Sequence, residues 1–327
     1  TRMLTSSGNT IYNNFFNNTI NAQDAEVNYW NITKTLAPNI IGGPYIGGNF
    51  WSDYTGIDTS GDGLGDTLLP YNSSVPGGGI TNGGDFLPLT NVTGISCGST
   101  IIQNINLTQD LICTGTALEI GANNIFLDCN GHTITGNGAF NSYGINIQQK
   151  NNVIVKNCII KNFYYGIREN LGNSNQFLNN NIENNINAIT TSYSQNSLLQ
   201  ENKITNNSNI GIALGVDSVN HTINKNNISY NYAGVSLSAS NNTIISENII
   251  HANTIRGIEL SLSNKNTIEH NILSNDSVGI VLALSHGNKV INNTATNNVY
   301  FGIHLVSSNN NNITNNTANF NGNDGIQ

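Results

Sequence analysis

The chain has 327 residues, and its composition excludes several classes of protein. Only 9% of the residues are charged, against about 25% in ordinary globular proteins, and the net charge of -8 leaves no basic face. We therefore expect no nucleic-acid partner and no anionic-lipid partner. No apolar run approaches the roughly 20 residues that a membrane-spanning helix needs, so no membrane span is predicted.

An aspartate-rich loop lies in the first quarter of the chain. In DTSGDGLGD, residues 58–66, three aspartates stand four residues apart with glycines between them. This spacing suits a loop that wraps oxygen ligands around a hard cation, and Ca²⁺ is the expected structural ion. The competing interpretation is an Asp-Gly-rich turn without metal. The predicted ligands are Asp53, Asp58, Ser60, Asp62, Asp66 and Asp85.

Four cysteines follow within a single region of the chain. Cys97 with Cys113 is expected to pin a first strand, and Cys129 with Cys158, 29 residues apart, to bridge neighbouring turns of the repeat described next. An even number of cysteines confined to one region predicts two disulfides and a compartment outside the cytoplasm. Buried free thiols are the alternative.

The strongest pattern is a repeat of 22 or 23 residues. Asn, of which the chain has 66, and β-branched residues dominate each period, where a helical solenoid would need helix formers. Three short strands fit into one period, so each period predicts one turn of a parallel β-solenoid with turns about 4.8 Å apart. A Gly-Ile pair or its equivalent begins at residues 144, 166, 188, 211, 234, 257, 279, 302 and 325.

Alignment of the periods gives four columns, two apolar and two of asparagine. The asparagines are expected to adopt the left-handed backbone conformation at corners and to bond to identical neighbours along the stack. The first apolar column is Ile154, Phe177, Leu199, Ile223, Ile245, Ile268, Val290 and Ile313. The second is Ile159, Ile182, Ile204, Ile228, Ile250, Leu273, Ala295 and Ala318. The asparagine columns begin at Asn157 and Asn162, and the second one contains Asp276 in place of Asn.

The period of 22 to 23 residues, with the fragments GIxL, NNTI and NxI, resembles the repeats of the pectate-lyase-like superfamily, especially its NosD-like and archaeal cell-surface branch. The resemblance implies an all-β chain, a right-handed single-stranded parallel β-helix of about ten turns. Residues 97–136 resemble the usual opening of such a helix, and residues 28–89 resemble the module that usually closes one. We therefore predict the final turns of a preceding solenoid at 1–27, a closing module at 28–96 and the β-helix at 97–327.

Because the closing module comes first, the chain looks permuted with respect to this family. The N-terminal stretch supplies Ile11, Asn14 and Phe16 for the first apolar, asparagine and second apolar columns. We expect Leu4 through Phe16 to stack on the turn around 303–327 of a neighbouring copy, or of an adjoining period of one tandem chain. Such head-to-tail contacts do not close and give a filament. The predicted assembly residues are Leu4, Ile11, Asn14, Phe16, Ile303, Asn316 and Ile326.

Catalysis is not predicted by the outward positions next to the Gly-Ile strands. Polysaccharide-cleaving β-helices carry carboxylates and basic residues together there, whereas this column is mixed, and we predict no enzyme. Aromatic residues before the Gly-Ile strands leave open a glycan-binding adhesin, with a lyase or epimerase as a further alternative. The outward column is Asn146, Arg168, Thr190, Ala213, Ser236, Glu259, Val281 and His304.

Thirteen Asn-x-Ser/Thr sequons occur, close to the number that chance gives for this composition. An extracellular location would make them available for glycosylation. The candidates are Asn17, Asn31, Asn72, Asn91, Asn106, Asn206, Asn220, Asn227, Asn241, Asn275, Asn292, Asn312 and Asn315.

The combined sequence prediction is an extracellular structural protein, a building block of a surface filament, sheath or layer. Its expected partners are further copies of itself and cell-surface glycans.

Overall fold

A computed structural model describes residues 2–3, 5–58, 62–72, 79–90 and 95–327. Within these residues the chain is all β, and no helix is long and apolar enough to cross a membrane. The chain divides into two compact units, Thr1–Ile95 and Ser96–Gln327. Three predicted site residues, Leu4, Ser60 and Asn91, lie outside the described residues.

The larger unit, described throughout, is a solenoid of three parallel sheets that each turn visits in the same order. The first sheet contains Ser99–Ile101, Leu118–Ile120, Tyr143–Gln148, Tyr165–Asn170, Asn187–Ser192, Ile210–Leu214, Ala233–Ser238, Arg256–Ser261, Val278–Ala283 and Phe301–Val306. The second contains Ile105–Asn106, Phe126–Asp128, Ile154–Lys156, Gln176–Leu178, Leu198–Gln200, Thr222–Asn224, Ile244–Ser246, Thr267–Glu269, Lys289–Ile291 and Asn312–Thr314. The third contains Leu111–Ile112, Thr133–Thr135, Ile159–Lys161, Asn181–Glu183, Lys203–Thr205, Asn227–Ser229, Ile249–His251, Ile272–Ser274 and Thr294–Thr296. The predicted parallel β-helix is confirmed.

The core is built from the side chains of alternate residues in each strand, which point inward. Ile182, Ile204, Ile228 and Ile250 lie on successive strands of the third sheet, in register, and all four are fully buried. Burying one such side chain contributes about 1.5–3 kcal/mol. Because successive residues of a strand face opposite ways, the intervening residues form the outer surface.

Asparagine ladders run inside two corners of the solenoid. Asn202 is typical: its Oδ1 accepts hydrogen bonds from the backbone N and the Nδ2 of Asn180, both at 3.0 Å. Its own N and Nδ2 donate to Oδ1 of Asn226 in the next turn, both at 2.9 Å, and its Nδ2 also donates to the Phe177 carbonyl at 2.8 Å. Each ladder asparagine therefore satisfies buried backbone groups where the chain turns out of a strand.

The two roles predicted for asparagine belong to different residues. Asn184 adopts the left-handed conformation, with φ of 56°, and is exposed, whereas its neighbour Asn185 is buried and belongs to the ladder. The same division occurs at Asn206 and Asn207. A polar side chain at the left-handed position lowers the cost of that backbone conformation, and the residue after it carries the ladder.

The first member of each predicted column is wrong by one residue. Val155 pairs with Phe177 and Ile160 pairs with Ile182, while the backbone nitrogens of Cys158 and Phe163 donate to Asn180 and Asn185. The period is 22 residues at this point, and in IVKNCIIKNF the residues Ile154 and Ile159 directly precede the apolar residues Val155 and Ile160, so the pattern alone did not distinguish the two registers. Each of the four predicted first members is replaced by the residue after it: Ile154 by Val155, Asn157 by Cys158, Ile159 by Ile160 and Asn162 by Phe163.

The predicted disulfides are confirmed. Cys97 is bonded to Cys113 with a Cα–Cα distance of 5.4 Å, and Cys129 is bonded to Cys158 with 4.7 Å. The second bond joins neighbouring turns at the buried ladder position, where Cys158 stands in place of asparagine. It therefore cross-links the stack at the level where the asparagine ladder begins.

The smaller unit repeats the same local rules over a shorter length. Its parallel strand pairs are Arg2–Met3 with Gln23–Asp24 and Phe15–Phe16 with Phe50–Trp51, and Thr35–Leu36 pairs with Tyr45–Ile46 antiparallel. N and Nδ2 of Asn14 both donate to Oδ1 of Asn49, at 3.2 and 2.9 Å, which is the ladder geometry of the solenoid.

An aromatic core fills the smaller unit. Phe16 stacks on Trp51 with ring centroids 4.6 Å apart, Trp51 stacks on Tyr71 at 4.3 Å, and Ile11 packs against the same cluster as Trp30. The predicted column residues Ile11, Asn14 and Phe16 thus occupy apolar, ladder and apolar positions within this unit. Whether residues 1–27 belong to a preceding solenoid stays a prediction.

We expect Asn248→Ala to lower the free energy of unfolding by roughly 3 kcal/mol, because it leaves several buried groups without partners. Asn248 accepts from N and Nδ2 of Asn226 and donates to the Ile223 carbonyl, each at 2.9 Å. Asn242→Ala, at an exposed left-handed corner, is the control and should cost about 1 kcal/mol. Equal losses for the two variants in urea denaturation would contradict the ladder's role.

Asp276→Asn should stabilise the protein, and more so at high pH. Asp276 accepts from N and Nδ2 of Asn253, but its buried Oδ2 has no hydrogen-bond partner among the described residues. Burial raises the pKa of this carboxyl to about 7, so the stability that its protonated form supports is lost as pH rises from about 4 through 7. Asparagine would supply the missing donor at every pH.

The gain for Asp276→Asn should be on the order of 3 kcal/mol at pH 8 and much smaller at pH 5. Thermal unfolding at the two pH values measures it. A gain that is the same at both would show that Asp276 does not titrate in this range. Buried Glu169, whose pKa is raised to about 7, contributes pH dependence of the same sign in both proteins.

Candidate functional site

A polar row crosses three neighbouring strands on the outer face of the first sheet. Glu119, Asn146 and Arg168 pair in register, and because Ile145 and Ile147 point into the core, Asn146 points outward. Asn146 Nδ2 donates to Glu119 Oε2 at 2.8 Å, and Arg168 Nη1 donates to Asn146 Oδ1 at 3.2 Å. An acid, an amide and a guanidinium are thereby fixed side by side.

Tyrosine rings form a wall along one side of this row. Tyr143 and Tyr165 each precede the Gly of a Gly-Ile pair, so they occupy the same place in successive turns and stack with centroids 5.5 Å apart. The Arg168 guanidinium carbon lies over the Tyr143 ring, 5.4 Å from its centroid. Tyr164 packs edge-on against Tyr165 at 4.8 Å, and Phe140 packs against Tyr164 at 5.0 Å.

Gln148 closes the other side of the row. Its Oε1 accepts from Arg168 Nη1 at 3.3 Å and from Asn170 Nδ2 at 3.2 Å. Arg168 is therefore held by two amides and an aromatic ring, and no carboxylate of the described residues forms an ion pair with it. We call the following set the arginine–tyrosine face: Glu119, Tyr143, Asn146, Gln148, Tyr165 and Arg168.

The electrostatics of the arginine–tyrosine face favour neutral forms of its acidic groups. Burial raises the pKa of Glu119, against the hydrogen bond from Asn146 and the charge of Arg168, which lower it. Burial also raises the pKa of Tyr165. A half-buried carboxyl beside a ligand can accept or return a proton, and a guanidinium held by neutral partners can bind an added carboxylate.

Further along the outer face of the first sheet, the outward side chains are first small and then large and polar again. Thr190, Ala213 and Ser236 follow Arg168 in register, and all three are small. Beyond them Arg256 forms an ion pair with Glu259. The Phe301 and His304 rings then lie 4.7 Å apart.

A second ionisable group lies beneath the face, inside the solenoid. Glu169 is fully buried and accepts from Asn175 Nδ2 at 2.6 Å and from Ser197 Oγ at 2.9 Å. His221 Nδ1 accepts from the Ser197 backbone at 3.2 Å, and burial lowers the pKa of His221 to about 4. Because Glu169 and His221 are buried, they are not accessible to a ligand on the outer face, and their hydrogen bonds stabilise the interior of the turn.

The predicted calcium ligands are engaged by the protein itself. Asp58 accepts from Gly63 N at 2.6 Å, and Asp62 accepts from Leu64 N at 2.9 Å while it pairs with Lys34. Among the described residues, no group of three or more His, Cys, Asp or Glu is placed to hold a metal ion. Calcium is therefore not supported by the described residues, which leave out residues 59–61 of the loop. Asp66, whose backbone N donates to Ile57 O at 2.9 Å, is part of the same turn.

Asp53 and Asp85 organise the smaller unit instead. Asp53 accepts from the Tyr71 hydroxyl at 2.8 Å. Asp85 is fully buried and accepts from Asn49 N at 2.6 Å and from Trp51 Nε1 at 2.9 Å, and burial raises its pKa to about 6. A Cβ at Gly48 would lie 1.9 Å from Asp85 Oδ1, so glycine is required there.

The sequon asparagines in the described part of the chain are exposed or half-buried, and none is a ladder residue. Asn31 and Asn241 are half-buried, and Asn31 Oδ1 accepts from Phe86 N at 3.1 Å. Glycosylation at the sequons stays a prediction. Of the assembly residues in the larger unit, Ile303 is buried in the core, Asn316 ends one ladder and Ile326 is half-exposed.

Sequence reasoning missed three members of the arginine–tyrosine face, Glu119, Tyr143 and Gln148. The outward column was begun at Asn146, since ALEI at 117–120 lacks the Gly-Ile pair, and Glu119 was left out. Tyr143 was not grouped with Tyr165, although both precede Gly in consecutive periods. Aligning Leu118 with Ile145 would have found the acid next to Asn146 and Arg168.

Two family models match the chain. Residues 118–273 and 216–327 match the family described as "Right handed beta helix region", and residues 2–56 match "Periplasmic copper-binding protein (NosD)". Residues 2–56 contain no His and no Cys, and Met3 is their one residue with a soft sulfur ligand. With the disulfides, the second match indicates a periplasmic or extracellular location. No curated protein matches the chain.

Solved structures share the fold at low identity. The periplasmic alginate epimerase AlgG is 20% identical with a TM-score of 0.53, over 60% of this chain and 49% of that chain. DFA-IIIase from Arthrobacter chlorophenolicus A6, without its lid, is 12% identical with a TM-score of 0.56, over 74% of this chain and 80% of that chain. This chain thus spans about half the length of AlgG, and the likeness shows the fold.

The prediction that the chain is not an enzyme is contradicted by these comparisons, because the solved structures with this fold are enzymes. The physical reason for the error lies in the incomplete outward column. That column left Arg168 without an acidic neighbour, whereas the fold brings Glu119 within one bridging asparagine of it.

Proposed function

The chain belongs to the right-handed β-helix family, and from this premise we propose that it binds an acidic polysaccharide on the arginine–tyrosine face. The observation that carries the proposal is the Arg168 guanidinium, held by Asn146 and Gln148 and lying over Tyr143. Guanidinium groups bind carboxylates with two parallel hydrogen bonds, and a uronate residue presents such a carboxylate.

The aromatic wall supports a sugar ligand. Tyr143 and Tyr165 are half-buried, so each keeps part of its ring available, and both stand beside Arg168. Aromatic side chains combine an apolar ring face with a polar tip, which matches the two sides of a pyranose ring. The flat floor of Thr190, Ala213 and Ser236 continues the face along the solenoid axis and leaves room for further sugar units.

The chemistry available to this face is proton transfer beside a bound carboxylate. A carboxylate neutralised by Arg168 makes the proton on the adjacent sugar carbon more acidic. Glu119, with its raised pKa, and Tyr165 are the groups that could accept or return that proton. The similarity in fold to the periplasmic alginate epimerase AlgG supports this class of reaction.

Arg168→Gln should weaken binding of uronate oligomers about 10- to 100-fold, as expected for loss of a charge-assisted contact. Arg256→Gln, on the same face but four strands away, is the matched control and should bind within about twofold of the unaltered protein. Isothermal titration with oligomers of several uronic acids measures both. Equal binding by the two variants, or no binding of any uronate polymer, would refute the proposed function.

Hydrogen–deuterium exchange on the bound sugar in D₂O distinguishes catalysis on this face from binding alone. Turnover should place deuterium on the carbon next to the carboxylate, and Glu119→Gln should abolish this exchange while binding persists. Binding without exchange would leave the glycan-binding adhesin as the function.

A second proposal is end-to-end stacking of β-helix turns at the cell surface. The ladders are directional: Asn293 donates to Asn316, and Asn14 donates to Asn49. The next donor in this order would be Asn316 and the next acceptor Asn14, of another copy or of an adjoining period. Electron microscopy should then show filaments of the purified protein, and particles that stay single at high concentration would remove this proposal.

A further inference from the structure

A slot opens in the smaller unit between two stretches of chain, residues 27–31 and residues 82–86. Its volume is about 470 Å³. Before and after the slot the same two turns are in direct contact: Asp24 N donates to the Gly79 carbonyl at 3.1 Å, and Gly48 N donates to the Leu87 carbonyl at 2.9 Å. The turns therefore separate only locally. We call this opening, with the two stretches that line it, the amide slot.

The second stretch of the amide slot is bonded to Tyr71 instead of to the first stretch. Asp85 N donates to the Tyr71 carbonyl at 2.9 Å, and Tyr71 N donates to the Asp85 carbonyl at 2.8 Å. Gly84 permits this close contact, because it has φ of 147° and a Cβ there would lie 2.7 Å from the Tyr71 carbonyl oxygen. Phe86 N, one residue after Asp85, donates to Asn31 Oδ1 at 3.1 Å, so the other edge of this stretch faces residues 27–31.

Backbone groups on both edges of the amide slot are without partners. Asn28 N, Asn28 O and Trp30 N have no hydrogen-bond partner among the described residues, whereas Tyr29, between them, is bonded to the preceding turn. In the same described part of the chain, Gly84 N, Gly84 O and Phe86 O have none either. Asn28 and Trp30 are 4% and 1% exposed, and buried backbone groups nearly always have a partner. The two edges therefore form a site for a group with both a donor and an acceptor.

Two aromatic rings, one from each stretch, line the mouth of the amide slot. Tyr29 is 59% exposed and Phe86 is 51% exposed. The lining otherwise consists of Val, Asn, Trp and Gly residues and carries no charged side chain. Small-molecule sites commonly combine such apolar walls with a few polar groups that fix the orientation of the ligand. An uncharged ligand with a ring that can contact aromatic side chains fits this lining.

A secondary amide is complementary to the two edges, because its C=O and N–H point in opposite directions. The C=O accepts from Trp30 N on one edge, and the N–H donates to the carbonyl of Gly84 or Phe86 on the other. From this complementarity we propose that the amide slot binds the acetamido group of an N-acetylated amino sugar. The sugar ring then lies at the mouth, against Tyr29 and Phe86.

The closed ends of the amide slot favour an acetamido group over a peptide strand. At one end Asn82 Nδ2 donates to the Ala25 carbonyl at 3.0 Å, and at the other Asn31 Oδ1 accepts from Phe86 N. An extended peptide would have to break these two contacts, whereas an acetamido group enters from the mouth. The ligand is uncharged, so this site does not depend on the carboxylate binding proposed for the arginine–tyrosine face.

Titration of the full chain with N-acetylglucosamine, followed by NMR, tests the proposal. Binding should slow the hydrogen–deuterium exchange of the Asn28 or Trp30 amide, but not that of Tyr29, which already donates to Asn9 O at 2.8 Å. Glucose lacks the amide and leaves the backbone groups unpaired, so it should bind about tenfold or more weakly.

Variants at the mouth test the position of the sugar ring. Tyr29→Ala and Phe86→Ala should each weaken N-acetylglucosamine binding about five- to tenfold, with an unchanged melting temperature. Phe15→Ala is the matched control, because Phe15 is 53% exposed in the same unit but does not line the amide slot. Arg168→Gln should also leave this binding unchanged, which separates the outcome from that of the uronate experiment.

Three results would overturn this proposal: no binding of N-acetylglucosamine at millimolar concentration, equal affinity for glucose, or binding that both mouth variants leave unchanged. Acetyl-alanine methylamide is the peptide probe. If it binds more tightly than N-acetylglucosamine and protects the same two amides, the proposal is also wrong and the amide slot belongs to a peptide ligand.

Discussion

The fixed register between successive turns is the constraint on which the rest of the structure depends. Backbone hydrogen bonds between parallel strands tolerate several registers, but the ladder through Asn202, Asn226 and Asn248 tolerates one, since each Oδ1 must meet both donors of the turn before it. A slip by one residue would leave buried donors without acceptors and would turn the isoleucine columns outward.

This register converts positions in the sequence into faces of the molecule. Residues one period apart become neighbours about 4.8 Å apart, so Glu119, Asn146 and Arg168 meet although they span about 50 residues of chain. The same rule stacks Tyr143 on Tyr165. The solenoid contributes rigid placement, and the chemistry resides in outward side chains that the fold leaves free to vary.

The sequence predicted the fold well because the repeat states it many times over. Period, strand number, core columns and both disulfides could be read from identical residues at equal spacing. The predicted register was wrong at Ile154, because Ile154 and Val155 are both apolar and Asn157 directly precedes Cys158, which occupies the ladder position in the structure. The face was predicted in part, because Arg168 lies in a regular period whereas Glu119 lies in an opening turn without the Gly-Ile pair.

The calcium prediction shows the limit of local motifs. The spacing of Asp58, Asp62 and Asp66 suits a metal loop, but backbone nitrogens of the loop bond to the Asp58 and Asp62 carboxylates, and Lys34, 28 residues before Asp62, pairs with Asp62. Asp85 likewise bonds to Trp51, 34 residues away. Lys34 and Trp51 are distant in sequence from these carboxylates, so the local spacing does not indicate them.

The central claim is that the outer face of the first sheet binds an acidic polysaccharide at Arg168. A crystal structure of the protein with a uronic-acid hexamer tests it most directly. We expect a sugar carboxylate within about 3 Å of the Arg168 guanidinium nitrogens and a sugar ring against Tyr143 or Tyr165. A hexamer bound elsewhere, with the arginine–tyrosine face unchanged and empty, would contradict it.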